Sequence, residues 1–287
     1  MGLNMGPATE PAVARDVAQL AEELGYDSLW VGDHPILPRP PLPGSPFSAE
    51  YPFGAPLVAL AYVAAATTRI LLGTGVLLVP QRNPVHLAKE IATLDRLCGG
   101  RLIMGVGVGY MEAEFRAIGA RMADRGALAD EYLAAMRELW VADAPSFEGS
   151  HFSIHDIEFL PRPVQVGGPP IVVGGHSAAA FDRAARIGDG WLGWFLEPDQ
   201  VARRVPRIHD RPRPAGKGPL EISVMPSGRL TPETAHAYDK AGVDRIVVTP
   251  APGMDTDTLL KFVARNAPAE MGLSREVRRV GRGVQDR

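Results

Sequence analysis

One cysteine, Cys98, in a chain of 287 residues leaves no partner for an intrachain disulfide. With a lone cysteine and seven histidines, no Cys/His ligand set of zinc type can be assembled at the usual spacings, so no metal is expected. An excess of basic charge is missing as well. Thirty Lys and Arg against 33 Asp and Glu give a net charge of -3 and a pI near 6.2, which argues against a broad phosphate-binding surface for nucleic acid. No apolar run approaches the ~20 residues of a membrane span, and A-P-L-V-A-L-A-Y-V-A-A-A from Ala55 to Ala66 falls well short. The start M-G-L-N-M-G-P-A-T-E-P carries no basic leader before an apolar core. A G-x-S-x-G elbow, an H-E-x-x-H pair and a repeat of 20 to 50 residues are all lacking, which argues against serine hydrolases, zinc proteases and solenoids. The expectation is a soluble cytoplasmic protein with neither nucleic-acid nor membrane partners.

What is present is an alternation. With 46% hydrophobic and 22% charged residues the chain can bury a large core. Thr9 is placed to cap a helix with Pro11 in its first turn; Val13, Val17, Leu20, Ala21 and Leu24 share one face before Gly25 stops it. Asp27 to Gly32 reads as a buried strand, Ala55 to Ala66 as a helix and Arg69 to Val76 as the next strand. Asn83-Pro84 caps a helix with Leu87, Ile91, Leu94 and Leu97 on one face and Gly99-Gly100 as its stop. A strand from Arg101 to Gly107 precedes a long helical stretch, Glu112 to Val141, broken near Gly119 and Gly126.

His151 to Phe159 alternates like a small hairpin, within a proline-rich connection over 151–169. Strands at Pro170–Val173, Gly190–Trp194, Leu220–Met225 and Asp244–Thr249 then alternate with helices starting near Ser177, Pro198, Thr231 and Asp255. A short first strand at Gly2–Met5 brings the total to eight. Strands separated by amphipathic helices imply right-handed parallel βαβ units. Eight of them fit an α/β fold of the closed (β/α)8 TIM barrel type better than an open doubly wound sheet, whose G-x-G-x-x-G turn is absent. A single barrel domain over 1–272 is expected, with a stiff insertion loop at 35–53 where a substrate lid would sit and a basic, mobile tail over 273–287.

Such a barrel places its chemistry at the carboxyl ends of the strands. Asp33 and His34 follow the second strand: an imidazole there can move a proton near neutral pH, although the pair also reads as a turn before Pro35. Adjacent residues on an extended chain point to opposite sides, so the two need not touch. G-T-G-V-L-L-V-P (Gly73 to Pro80) lets the backbone approach a ligand, or simply bulges to close the barrel. In G-V-G-V-G-Y-M-E-A-E-F (Gly105 to Phe115), glycine at every second position is expected to hollow the mouth for a flat ring. V-V-G-G-H-S-A-A-A (Val172 to Ala180) feeds a glycine turn into a helix capped by Ser177, an anion site or a plain tight turn.

Other residues take plainer readings. His151, His155, Asp156 and Glu158 belong to a hairpin surface; His86 and Lys89 are solvated on an outer helix. Cys98 is a small core or boundary residue with no base beside it.

The run R-I-L-L-G-T-G-V-L-L-V-P-Q-R-N-P-V-H-L-A-K-E-I-A-T-L-D-R-L-C-G-G-R-L-I-M-G-V-G-V-G-Y-M-E-A-E-F-R-A-I-G, from Arg69 to Gly119, resembles the luciferase-like monooxygenase superfamily, and within it the branch that uses the deazaflavin coenzyme F420. G-Y-D-S-L-W-V-G-D-H and P-P-I-V-V-G-G-H-S-A-A-A-F-D-R-A-A-R-I-G-D-G-W extend the likeness over roughly Met1 to Trp194. The resemblance implies a (β/α)8 barrel with the deazaflavin in its mouth and a homodimer in solution. It also implies a non-proline cis peptide at Gly75-Val76 under the ring, beside Thr74. Gly107, Gly109 and Tyr110 would form a wall, and Gly174, Gly175, His176 and Ser177 would hold the phosphate. Asp33 would touch the cofactor and His34 would face the substrate as the catalytic residue. Tyr110 stands where some relatives carry a carboxylate or amide, so the resemblance does not supply a catalytic acid at that position. The first strand is shorter than in relatives, so either a trimmed start or a frayed first strand is expected.

Three functions follow. The first is an F420-dependent oxidoreductase passing a hydride between C5 of the deazaflavin and a small organic substrate. The second is an FMN-dependent luciferase-like monooxygenase. The third is an F420-binding or carrier protein without catalysis.

Overall fold

The computed structural model describes residues 1–5, 10–45 and 47–273. Eight parallel strands, β1 (Gly2–Asn4), β2 (Ser28–Val31), β3 (Leu71–Thr74), β4 (Leu102–Gly107), β5 (Ile171–Gly174), β6 (Gly190–Leu196), β7 (Glu221–Pro226) and β8 (Arg245–Val248), pair with their neighbours in sequence order. Pairing of β1 with β8 closes the ring, so the sheet is the expected (β/α)8 barrel. Closure leaves no edge strand. The first strand is not frayed: Gly2 and Leu3 pair with Ser28 and Leu29 on one side and Val247 and Val248 on the other.

Helices lie between the strands: α1 (Pro11–Glu23), α2 (Pro56–Ala66), α3 (Pro84–Leu97), α4 (Glu112–Ala117), α5 (Arg125–Val141), α6 (Ala178–Ile187), α7 (Pro198–His209), α8 (Pro232–Lys240) and α9 (Thr256–Arg265). Five of them, α1, α2, α3, α7 and α8, carry proline in the first turn, where the missing N–H costs no hydrogen bond. The cap expected at Thr9 lies outside the described residues. No helix among the described residues is long and apolar enough to cross a membrane.

Several boundaries differ from the sequence expectation. Leu97 is exposed and Cys98 is buried, because the inward stripe of α3 steps Leu87, Ile91, Leu94, Cys98 in units of four, three and four. Gly119, at φ 75, does end α4, but Gly126 lies inside the first turn of α5, where its carbonyl accepts from Arg183 Nη2. The hairpin sits earlier than expected, pairing Phe147–Glu148 with Ser153–Ile154. Asp156 at φ 52 ends the extended run. Its histidines are engaged, His151 with Glu131 and His155 with Glu148. Lys89 is also less free than expected: its ammonium donates to the Leu160 carbonyl and lies 4.6 Å from the centre of the Phe159 ring. The tail Ser274–Arg287 lies outside the described residues.

The barrel interior is filled by one indole. Trp30 on β2 is fully buried, amid Ile103, Val172, Leu192, Met225 and Val247. Its neighbours make room with glycine: a Cβ at Gly73 would lie 2.6 Å from Trp30 Cε3, and one at Gly2 would lie 2.8 Å from Nε1. Gly105 is tighter still, since a Cβ there would meet the Thr74 carbonyl oxygen at 1.8 Å. The same strands are tied by Thr74 Oγ1 donating to the Gly105 carbonyl at 2.6 Å. The space beside Gly105 therefore holds protein, not a ring from outside.

Below the indole lies a charged network. Trp30 Nε1 donates to Ser28 Oγ at 2.9 Å, Ser28 donates to Asp27, and the guanidinium of Arg245 bridges Asp27 and Glu221. Burial acts to raise the Asp27 pKa, but Arg245, the amino terminus and Ser28 together carry it well below the usual carboxylate range.

Gly105→Ala should destabilise the fold by about 3 kcal/mol or more through overpacking, whereas Gly218→Ala, in open space, should stay within about 0.5 kcal/mol. Urea unfolding midpoints of the two variants test this, and a Gly105→Ala midpoint equal to the parent's would refute the packing account.

Candidate active site

The carboxyl ends of β2, β3, β4, β5 and β6 converge on one rim. Beyond β2 the chain delivers Asp33 and His34, as the sequence suggested, but to different tasks. The Asp33 carboxylate is buried and fully engaged: Leu78 N–H donates to Oδ2 at 3.0 Å, and Arg82 Nη2 reaches both oxygens at 2.9 Å. This ties the end of β2 to Leu77–Leu78, the two residues with which the third strand resumes beside β4 after its bulge. The Gly75–Val76 peptide within that bulge is cis.

His34 meets a partner that the sequence reading passed over. Its Nδ1 lies 2.7 Å from Glu114 Oε1, and Gln81 Nε2 donates to Glu114 Oε2 at 3.3 Å. The Glu114 side chain is 0% exposed and that of His34 10%. A carboxylate can only accept, so in this contact the imidazole is the donor, through Nδ1. The signal for Glu114 was an inward stripe, Met111, Glu114 and Phe115, on and just before α4: a carboxylate on an otherwise apolar face, with all three residues buried. Gly109, at φ 79, makes the preceding turn; a Cβ there would lie 2.9 Å from Phe115.

Rings surround the imidazole. Phe53 lies 4.9 Å away between ring centres, Tyr110 5.8 Å and Phe47 6.0 Å. Phe47 and Phe53 come from the 35–53 loop, and Gly32 leaves the space that Phe53 fills. Tyr110 stacks at 6.2 Å on Trp194, which stacks at 5.8 Å on His176. Burial and the charge of Glu114 raise the pKa of the Tyr110 phenol.

The glycine turn after β5 is built as expected. Gly175 has φ 125, and Ser177 caps α6 by accepting from Ala180 N–H at 3.2 Å. First-turn amides of a helix lack intrahelical acceptors, so this turn offers donors to a phosphate. His176 stays neutral there: the Trp194 N–H donates to its Nε2 at 3.2 Å, and burial, with the nearby charge of Arg204, lowers its pKa to about 4. Its place is therefore that of a packing and hydrogen-bonding group, with Arg204 as the local cation. Gly107 does not open the mouth, because Val76 occupies the space: a Cβ at 107 would lie 2.6 Å from Val76 Cγ2. Gly174 abuts the same side chain, 2.9 Å from Val76 Cγ1. The expected hollow is thus filled from the neighbouring strand, while Thr74, Gly75 and Val76 form the floor of the rim.

The closed parallel barrel thus brings a His34–Glu114 pair and a glycine turn at a helix start to one rim. A profile of the luciferase-like monooxygenase family matches residues 2–258, and the chain belongs to that family. It is 32% identical over 241 residues to a Mycobacterium tuberculosis protein of uncharacterised function, covering 81% of this chain and 83% of the relative. It is 36% identical over 186 residues to a protein of Kineococcus radiotolerans named F420-dependent glucose-6-phosphate dehydrogenase, covering 63% of this chain and about half (52%) of that relative. Among solved structures it resembles an F420-dependent secondary alcohol dehydrogenase in complex with an F420-acetone adduct: TM-score 0.77, 18% identity, 93% of this chain and 97% of that one.

Because the folded pKa of His176 lies below its ordinary 6.5, the unfolded chain binds more protons between these values. Its contribution to stability is complete above pH 6.5 and is lost as the pH falls towards about 4. Urea midpoints should decline across that window, and His176→Gln should flatten the decline. A His176 ring titrating at 6.5 by NMR would contradict this.

Proposed function

We propose that the chain is an F420-dependent oxidoreductase acting on a small organic alcohol or carbonyl compound. The observation that carries this reading is the His34–Glu114 pair, set in a rim that also holds a phosphate-type turn. The names of the relatives point to F420, and the donor set fits a phosphate-bearing flat cofactor: amides at Gly174–Ser177 with Arg204 for the phosphate, the Thr74–Val76 floor and the Gly107–Tyr110 wall for the ring. When bound, the deazaflavin supplies two-electron hydride exchange at C5.

The protein's own residues do the rest. In oxidation of an alcohol the bound cofactor would take the hydride, and the hydroxyl proton would have to pass to a group of the protein as C=O forms. His34 Nε2 takes the hydroxyl proton; Glu114 holds the ring in the tautomer that can accept it and stabilises the resulting imidazolium. In reduction the same nitrogen returns the proton. Asp33 is a positioning residue, fixing Leu78 and Arg82 beside the cis peptide. Rings around His34 exclude water from the reacting atoms. A mere carrier has no use for a buried carboxylate behind an imidazole. The family name favours a second reading, oxygen chemistry on FMN, which shares the floor and the phosphate turn.

Fluorescence titration with F420 and with FMN separates the two readings, and submicromolar FMN binding without F420 binding would overturn the proposal. With F420 bound, His34→Ala should lower kcat by about 10²- to 10⁴-fold and Glu114→Gln by about 10- to 100-fold, with the F420 Kd nearly unchanged. Turnover unaffected by either change removes the pair from the mechanism.

A further inference from the structure

The rings around His34 define more than a dry site. Phe47, Tyr51 and Phe53 form a cluster with ring centres 4.7 to 5.0 Å apart, and the cluster leans on the imidazole from the 35–53 loop. Burial there pushes the Tyr51 phenol up to about 12. Tyr110 closes on the imidazole from the end of β4, backed by Trp194 from β6. Phe195, at φ 50, bends the end of β6, where its register with β7 shifts. Two walls of aromatic carbon, from separate segments, thus meet at the proton-carrying ring.

The hydrogen-bond partner of the same ring is a carboxyl group. Glu114 sits fully buried behind it, with only Gln81 and His34 on its oxygens. Arg82, which follows Gln81, is already paired with Asp33. Among the described residues, cation–ring contacts occur at Phe159, Phe181 and Trp30, and none involves the rings about His34. A phosphate or carboxylate brought to His34 would be desolvated beside the buried Glu114, with Arg82 committed to Asp33 and, among the described residues, no cation in contact with the rings about the imidazole. A flat, uncharged group meets ring faces and edges at favourable spacings instead.

We infer that the substrate is an uncharged compound carrying a ring-shaped or otherwise flat apolar group next to its hydroxyl or carbonyl, and not a sugar phosphate. This rests on the reading of the rim as an alcohol or carbonyl redox site. It sets the chain apart from the activity named for its Kineococcus relative, whose substrate carries a phosphate.

The test uses the full chain with F420. Cyclohexanol and benzyl alcohol are compared with glucose 6-phosphate for F420 reduction, and cyclohexanone and benzaldehyde for oxidation of the reduced form. Ring compounds should turn over and glucose 6-phosphate should not. Phe53→Ala should raise KM for the ring compounds about tenfold relative to 2-propanol while the F420 Kd stays within about twofold, and Phe53→Leu should fall between. Turnover of glucose 6-phosphate at a kcat/KM equal to or above that of the ring compounds would overturn the inference, as would a Phe53→Ala variant with an unchanged KM ratio. Failure to bind F420 would count against the proposed function alone. The aromatic rim is then read without cofactor, by saturation-transfer NMR of benzyl alcohol: binding weakened by Phe53→Ala supports the inference, and no binding, or displacement by glucose 6-phosphate, overturns it.

Discussion

A single side chain sets the terms for this barrel. Trp30 lies across the interior, and the strands beside it accept its bulk only because Gly2, Gly73 and Gly105 carry none. The indole N–H is satisfied through Ser28, which joins it to the Asp27–Arg245–Glu221 network, so the plug is fixed by charge from below as well as by packing from the side. Above it, Thr74 is pulled towards β4 by its bond to Gly105, and the chain then turns through the cis peptide. The floor of the rim is thus a consequence of what fills the barrel beneath it.

The rim adds two separate polar ties to that floor. Asp33 and His34 are neighbours in sequence and diverge in space, each finding its own partner: Arg82 and Leu78 for the carboxylate, Glu114 for the imidazole. Both partners lie far along the chain, so the closed barrel itself is what brings them together. Glu114 is tolerated at zero exposure because both of its oxygens have partners, and the cost of burying it is repaid in orientation of the imidazole.

Much of this was legible in the sequence. All eight strands were, since each is a short apolar run between helix signals; so were the glycine turn before α6 and the site of the cis bond, the last only through family resemblance. What misled was locality. Alternating glycines at 105 and 107 say that space is needed, but not whether a ligand or a neighbouring strand fills it; here Thr74, Trp30 and Val76 do. Leu97 reads as inward because four leucine or isoleucine positions are regularly spaced, whereas the true stripe ends on Cys98. Glu114 was hidden by its charge: nothing in E-A-E-F says which glutamate faces inward until Phe115 and Met111 are seen to share its side. The aromatic loop residues had no periodicity to read at all, because proline, not a ladder, shapes that segment.

The loop that supplies those residues is joined to the barrel in an unusual way. Its backbone hydrogen bonds at Ser45, Tyr51 and Phe53 close on the loop itself, to Leu42, Ser48 and Tyr51, and Arg39 pairs with Glu50 inside it. Among the described residues it meets the imidazole through the rings of Phe47 and Phe53. In evolutionary terms this segment is an exchangeable part: it can lengthen, shorten or trade its aromatics without breaking a strand pairing, the Asp33 tie or the glycine turn. A lineage built on this barrel can therefore change the aromatic surface at its rim while inheriting the His34–Glu114 pair intact.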